Sequence, residues 1–374
     1  MQIKLKNTEN QVALIKAMAS KDRETAYEAQ AAVADLMPQV ISQVINNAPS
    51  ISNLYTTMTF GEDENPSFPI DLLYDITDED YLQIWSQSAA GGLATNEMFP
   101  AHDELKFKTY ELDSAWSMDK KYARKARLDV VSALFTRMAQ ELLLKQERTS
   151  LNQLVGALIT ATTKVNGTSA AGNHVIRTGA DNVLTIDDFN NLLTRSKRLW
   201  SSFSTGTPSG GGRFGVTDLL MSPEMTEEIR AMAYQPVNTR QASSGTSSIP
   251  ATEAMRNEIM AAGGMSSLFG INIIEFLEFG INQRYNKIFD AINVANSSPV
   301  TFTQASDEFI LGIDRTVPNA LVRPTVTEEG SSSEFNVMVD DQFVARSNKI
   351  GYYANNVEGR YVLESRALTG LICD

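Results

Sequence analysis

Apolar residues recur at Val12, Ile15 and Ala19, and again at Val33, Leu36, Val40 and Val44, within an opening stretch that holds no glycine and one proline, Pro38. That spacing predicts short amphipathic helices, which either pack on their own domain or form an arm toward a partner. From Ala48 to Leu105 the pattern breaks up, with Pro49, Gly61, Pro66, Pro69, Gly91, Gly92 and Pro100 separating short apolar runs such as Phe68 to Tyr74 and Tyr81 to Trp85. Short strands about a glycine-rich tip, Ala89 to Leu93, predict an extended two-stranded excursion. A ribbon of this kind has little core and is only marginally stable alone in water, so it needs a surface to rest on.

Leu105, Phe107 and Thr109 alternate with Lys106, Lys108 and Tyr110, which reads as a half-buried strand returning to the body. Leu128 to Ala161 then carries the strongest helical signal in the chain. Val131, Leu134, Phe135, Met138, Leu142, Leu151, Leu154, Val155 and Leu158 recur at three, four or seven residues, with no proline among them and no glycine before Gly156. The polar run Lys145 to Ser150 interrupts the stripe, so one long helix and two abutting helices both remain open.

A second unit follows the Asn166 to Gly172 stretch. Thr185 and Asp188 have the spacing of a capping box, ahead of Phe189, Leu192, Leu193, Leu199 and Trp200 on one face. An apolar strand over Phe214 to Met221 leads into Ser222-Pro223-Glu224, a helix start by its cap residue and its first-turn proline. A helix at Thr252 to Ala262 ending at Gly263-Gly264 and an apolar strand at Leu268 to Phe279 complete a layered α/β unit. Strand-like runs reappear from Phe335: Phe335 to Val339, Ile350 to Tyr353, Tyr361 to Leu363 and Leu368 to Ile372. They have no helix of their own, and the natural cover is the helix starting at Leu128, so the middle unit reads as an insertion.

Charge sharpens this picture. No lysine or arginine occurs over the 82 residues from Glu24 to Leu105, which carry 14 Asp and Glu, whereas the 22 residues from Lys106 to Arg127 hold seven Lys and Arg against three acids. One-signed segments of opposite sign suggest a projection built to lie on a neighbour. The expected contact sets the acidic and apolar residues Phe68, Ile70, Asp75, Asp78, Glu79, Asp80, Tyr81, Ile84 and Trp85 of one copy against a basic collar on the next. That collar is Lys106, Lys108, Lys120, Lys121, Arg124, Lys125 and Arg127. The 374 residues, 43% hydrophobic and 21% charged, support a sizeable core divided into two or three units, and a net charge of −13 argues against a grip on nucleic acid backbone.

Catalytic and ligand-binding signatures are weak. His102, His174 and Cys373 are too few for the usual zinc sets, and Asp75 to Asp80 lacks the glycine and the terminal glutamate of a calcium loop. Gly210 to Gly215 matches a dinucleotide fingerprint only literally, since it opens a strand instead of a helix. No nucleophile elbow and no Walker lysine is present. The expectation is a protein without catalytic residues, cofactor or metal. No signal peptide, no membrane span and, with the sequence opening at Met1, no cleaved prodomain is expected.

The order of elements resembles the major capsid proteins of tailed bacteriophages, which have the HK97-like fold of the α+β class. The resemblance rests on the passage from Leu105-Lys-Phe-Lys-Thr-Tyr-Glu-Leu-Asp into Leu128 to Ala161, on Met221-Ser-Pro-Glu with its strand and helix, and on Gln342-Phe-Val-Ala-Arg-Ser-Asn-Lys-Ile-Gly-Tyr-Tyr. It implies an N-terminal arm over 1–59 and an extended β-hairpin loop over 60–104. A peripheral domain over 105–184 and 325–374 would carry the spine helix 128–161, and an inserted axial α/β domain would span 185–324. It further implies hexamers and pentamers closing into an icosahedral shell, with scaffolding, portal and cementing partners and with packaged DNA held only by weak non-specific contact. The implied location is the virion capsid, assembled in the host cytoplasm, with no membrane partner. Some members weld a loop lysine to a neighbour's asparagine. This chain departs from that, having no lysine between Lys21 and Lys106. The rival readings are an encapsulin-like compartment, a soluble α/β enzyme with a lid at Ser201 to Gly215, and a tail or baseplate component.

Overall fold

The computed structural model describes residues 8–48, 50–69, 104–165, 168–179, 184–200, 215–231, 267–268, 270–327, 333–340 and 347–373. In chain order it opens with α1 (Glu9–Met18), α2 (Arg23–Asn46), β1 (Thr56–Gly61), β2 (Ser67–Pro69), β3 (Glu104–Lys106), β4 (Tyr110–Asp119), α3 (Lys120–Arg124) and the long α4 (Leu128–Thr160). Then come β5 (Lys164–Val165), β6 (Thr168–Ser169), β7 (Val175–Arg177), α5 (Ile186–Arg198), β8 (Asp218–Met221), α6 (Pro223–Ala231), β9 (Ser267–Leu268), β10 (Ile271–Glu275), α7 (Arg284–Ala295) and β11 (Glu308–Ile313). The chain closes through β12 (Leu321–Thr327), β13 (Asn336–Asp340), β14 (Lys349–Glu358), β15 (Tyr361–Val362) and β16 (Leu368–Cys373). Two compact units result, the first built from Met1–Pro69, Glu104–Ser150 and Leu321–Tyr361, the second containing Leu151–Ala320 and Val362–Asp374.

In the first unit β14 is the hub of the sheet. β4 pairs antiparallel with it along its whole length, from Lys349↔Asp119 to Glu358↔Tyr110. Its other edge takes β13 and then β12, and β1 joins β12 in parallel. Side chains alternate across a strand, so Ile350, Tyr352 and Ala354 of β14, Leu112 and Met118 of β4 and Val337 of β13 all enter one face. The stripe of α4 covers that face with Val131, Leu134, Phe135, Met138 and Leu142, and the Phe135 ring sits 5.4 Å from that of Tyr352. Ile15 and Met18 of α1 and Val33, Met37, Ile41 and Ile45 of α2 fill the same core. This places both N-terminal helices in the body of the unit instead of in the separate arm expected over 1–59. An amphipathic stripe states that a helix must bury one face, not whose core it enters.

The polar interruption in the α4 stripe is continuous helix over a buried polar patch. Glu147 accepts the Ile51 amide at 2.9 and 3.0 Å, satisfying an orphan donor of the short 3₁₀ turn Ile51–Leu54. Gln146 Nε2 donates to Glu358 Oε2 at 3.1 Å, and Tyr55 Oη donates to the Ser150 carbonyl at 2.8 Å. Glu358, fully buried, also pairs with Arg323 at 2.9 Å and Arg360 at 3.2 Å, while Arg323 reaches Glu334 at 3.1 Å. Arg360 donates to Ser52 Oγ at 2.7 Å and lies over the Tyr55 ring. Burial, with Glu358 close by, pushes the Tyr110 hydroxyl up to about 12.

The second unit is built on a six-stranded sheet in the order β7-β16-β11-β8-β10-β9. β8, β11 and β16 are buried on both faces, as expected of strands covered by helices. Phe189 and Leu192 of α5 and Met225 and Ile229 of α6 share a core with Leu219, Met221, Ile273, Ile310 and Leu371. Thr185 and Asp188 form the expected capping box, with the Asp188 amide donating to Thr185 Oγ1 at 3.3 Å and the Thr185 amide to Asp188 Oδ2 at 2.9 Å. α7 packs through Phe289, whose ring lies 4.3 Å from Phe309 and 4.6 Å from Phe302.

The boundary expected at 325 needs correction at both ends. β12 begins the return to the first sheet at Leu321, and the final strand β16 leaves that sheet to pair with β11 over Glu308↔Cys373 to Ile313↔Leu368. Leu-Thr-Gly-Leu-Ile-Cys is apolar enough to be buried on both faces, and such a run fits the middle of either sheet.

Candidate assembly interface

β2 and β3, which flank residues 70–103, pair antiparallel from Ser67↔Lys106 to Pro69↔Glu104. The chain just after β3 is clamped within the first unit. Phe107 is buried between Phe60, at 6.4 Å between ring centroids, and Tyr361, at 4.8 Å. Tyr361 Oη donates to the Lys108 carbonyl at 2.7 Å and accepts the Lys108 amide. The strand expected from Leu105 is therefore β3, then a short link through the buried Phe107, then β4 from Tyr110.

Of the expected acidic and apolar loop residues, Ile70, Asp75, Asp78, Glu79, Asp80, Tyr81, Ile84 and Trp85 lie outside the described residues. Phe68 is described and is 4% exposed in the single chain. It belongs to the core of its own subunit and not to a surface offered to another, because in a strand as short as β2 one step of side-chain parity separates inside from outside.

The basic collar is described in full. Lys106, Lys108, Lys121, Arg124, Lys125 and Arg127 are exposed and Lys120 is half-buried. The collar's ion pairs among the described residues are local: Lys121 with Asp119 at 3.0 Å and Arg127 with Asp129 at 3.2 Å. Hydrogen bonding to Asp119 raises the Lys121 ammonium and hydrogen bonding to Asp129 raises the Arg127 guanidinium above their ordinary values. Ala126, between them, has a φ of 48°, which closes the turn from α3 into α4. Lys120 to Arg127 thus form a tight β4–α3–α4 corner with four of its five cations exposed, while Lys106 and Lys108 lie on β3 and the link after it.

Beside this corner runs an open groove of about 530 Å³ between β4 and the first turns of α4. Trp116, Met118, Tyr122, Val130 and Leu134 supply its apolar walls, with Arg137 and Lys349 at its margin. Trp116 Nε1 donates to Glu141 Oε2 at 3.1 Å, which fixes the indole at the edge of the sheet. Sequence reasoning missed Trp116, Arg137 and Lys349, since they come from three separate segments. The detectable signal was the tryptophan at a half-buried position of an edge strand.

No family model and no curated protein sequence matches the chain. Solved structures do. The capsid subunit of an empty GTA particle superposes with a TM-score of 0.51 at 13% identity, covering 87% of this chain and 89% of that one. The capsid of cyanophage P-SCSP1u gives 0.50 at 14% identity, covering 86% of each chain. The chain has the HK97-like capsid fold. In it α4 is the long helix packed on the β4–β14 sheet. An encapsulin complex from Synechococcus elongatus also aligns, at a TM-score of 0.40 and 12% identity over 89% of this chain and 94% of that one.

Among the described residues no cluster of three or more His, Cys, Asp or Glu could hold a metal ion, and no helix is long and apolar enough to cross a membrane. His174 is fully buried and serves the architecture. Its Nδ1 lies 2.8 Å from the Leu368 carbonyl, which can only accept, so Nδ1 carries the proton and Nε2 accepts from Thr163 Oγ1 at 2.8 Å. Burial holds its pKa below the usual 6.5, so the neutral ring is the folded form. Its contribution to stability is present above pH 6.5 and is lost as the pH falls from there through the depressed folded value. Denaturant midpoints of wild type and His174→Gln, measured across that range, should converge as the pH drops. A constant gap between them would contradict the assignment.

Proposed function

We propose that this chain is the major capsid protein of a tailed bacteriophage, assembling through hexamers and pentamers into an icosahedral shell around double-stranded DNA. The observation that carries the reading is the fold of phage capsid subunits combined with opposite one-signed charge on two neighbouring segments of one chain. The acidic loop of one copy lies on the basic collar of the next, a heterologous contact of the kind that closes into rings. Exposed ion pairs add little net adhesion. Apolar burial of Ile70, Tyr81, Ile84 and Trp85, at about 25 cal/mol per Å², supplies most of it, while the charges set orientation and partner choice. Scaffolding and portal proteins are the expected partners in assembly, and DNA is held weakly, consistent with the net charge of −13.

Purified particles test this directly. Nuclease-protected double-stranded DNA is expected inside, and a denaturing gel should show one band at the subunit mass of 41.1 kDa. Enclosed cargo protein without DNA would favour a compartment shell. A ladder of covalent multimers would refute the lysine-free assembly inferred from the absence of lysine between Lys21 and Lys106.

A further inference from the structure

The link from β10 to α7, in the second unit, is firmly held and yet turns two aliphatic side chains outward. Leu277 is 79% and Ile281 42% exposed in the single chain. The Phe276 amide donates to the Met221 carbonyl at 3.0 Å, the Tyr285 amide to the Glu278 carbonyl at 3.0 Å and the Asn282 amide to the Gln304 carbonyl at 2.9 Å. The Ile281 amide donates to the buried Glu308 carboxylate at 3.3 Å, and Phe279 anchors the loop against Tyr285 and Phe309. A loop fixed in this way loses little freedom on binding, so it can present Leu277 and Ile281 to a partner at low entropic cost. Its rim is acidic. Glu275 is exposed at the end of β10, and Glu224 Oε2 lies 3.3 Å from the point a Cβ on Gly280 would occupy.

α7 carries the complement. Arg284, Lys287, Ala291, Val294 and Ala295 are exposed, and their spacing sets them on one face of the helix. The opposite face, with Tyr285, Phe289 and Asn293, is buried. The outer stripe is therefore cationic in the first turn and apolar in the last, where Val294 is 71% exposed. Among the described residues no ion pair engages Glu224, Glu275, Arg284 or Lys287.

We propose that the Leu277–Ile281 loop of one copy seats on the outer stripe of α7 of the next. Leu277 and Ile281 then cover Ala291 and Val294, while Glu224 and Glu275 face Arg284 and Lys287. Aliphatic burial supplies the adhesion and the charges set its direction. A second copy is the occupant because the two surfaces match each other in sign and in apolarity. They are different patches of one chain, so the contact is heterologous and runs head to tail, as a ring of subunits requires. The inference rests on the reading that copies of this chain assemble, and it adds a contact independent of segment 70–103 and the basic collar.

Photo-cross-linking in assembled particles tests it. A diazirine analogue of leucine replaces Leu277 in isotope-labelled full-length chain, which is co-assembled with excess unlabelled wild type. Mass spectrometry is expected to recover position 277 coupled to peptides from residues 284–295 of unlabelled chains. Coupling to a labelled peptide of the same chain, or to another segment of the neighbour, overturns the proposal while leaving the shell reading intact. If wild-type chain forms no particles, the shell reading falls and this inference with it. Should the Leu277 variant be excluded from particles, the same analogue at Val294 must recover peptides from residues 271–283 of unlabelled chains, and recovery of others overturns the proposal.

Discussion

A chain with Lys120, Lys121 and Lys125 all replaced by glutamate is expected to fold as a monomer and to fail at shell formation. Lys121 and Lys125 are exposed, Lys120 is half-buried, and none of the three enters the core, so the fold loses little. The one local ion pair removed, Lys121 with Asp119, is solvated. In the proposed contact the change is large: three attractive charges become three repulsive ones facing the segment 70–103, which holds no lysine or arginine. A shell repeats that contact at every subunit, so the penalty compounds. Light scattering should show no particles where wild type assembles, with the thermal unfolding curve of the monomer nearly unmoved. Wild-type assembly of the triple variant would defeat the loop-on-collar contact.

Glu358→Ala should cost about 3–5 kcal/mol of folding stability, the usual consequence of removing one partner from a buried pair. Glu358 is fully buried and accepts from Arg323, Arg360 and Gln146. Without it Arg323 keeps Glu334, but Arg360 is left as a buried cation with the Ser52 hydroxyl and the Tyr55 ring for company. Guanidinium does not escape by losing its proton. The denaturant midpoint of the monomer reads the effect, and a shift below about 1 kcal/mol, the range of an exposed pair, would show that the network is not buried. Pairing Glu358→Leu with Arg360→Met should recover much of the loss, since an apolar replacement leaves no charge stranded.

The same network explains where the sequence was hard to read. α4 was legible because Val131, Leu134, Phe135, Met138 and Leu142 all face one core. Its gap at Gln146, Glu147 and Ser150 looked like a break because the groups that satisfy those polar side chains, from Ile51 to Glu358, lie far away in the chain. The capping box at Thr185 was legible for the opposite reason: both partners sit within three residues. α7 was missed, its Tyr285 and Phe289 being too few to mark a stripe. Periodicity told which faces of α1 and α2 are buried and left their destination open, and β16 could not be assigned to a sheet from a continuous apolar run. Of the candidate interface, the collar was legible as charge, whereas Phe68 was misassigned and the groove required Trp116, Arg137 and Lys349 to be brought together by the fold.

Electron microscopy of the purified full-length chain, alone or with a candidate scaffolding protein, probes the central claim most directly. Closed icosahedral particles are predicted, with residues 70–103 of each subunit resting on an adjoining one. Uniform monomers, or particles in which that stretch folds back onto its own subunit, would contradict it.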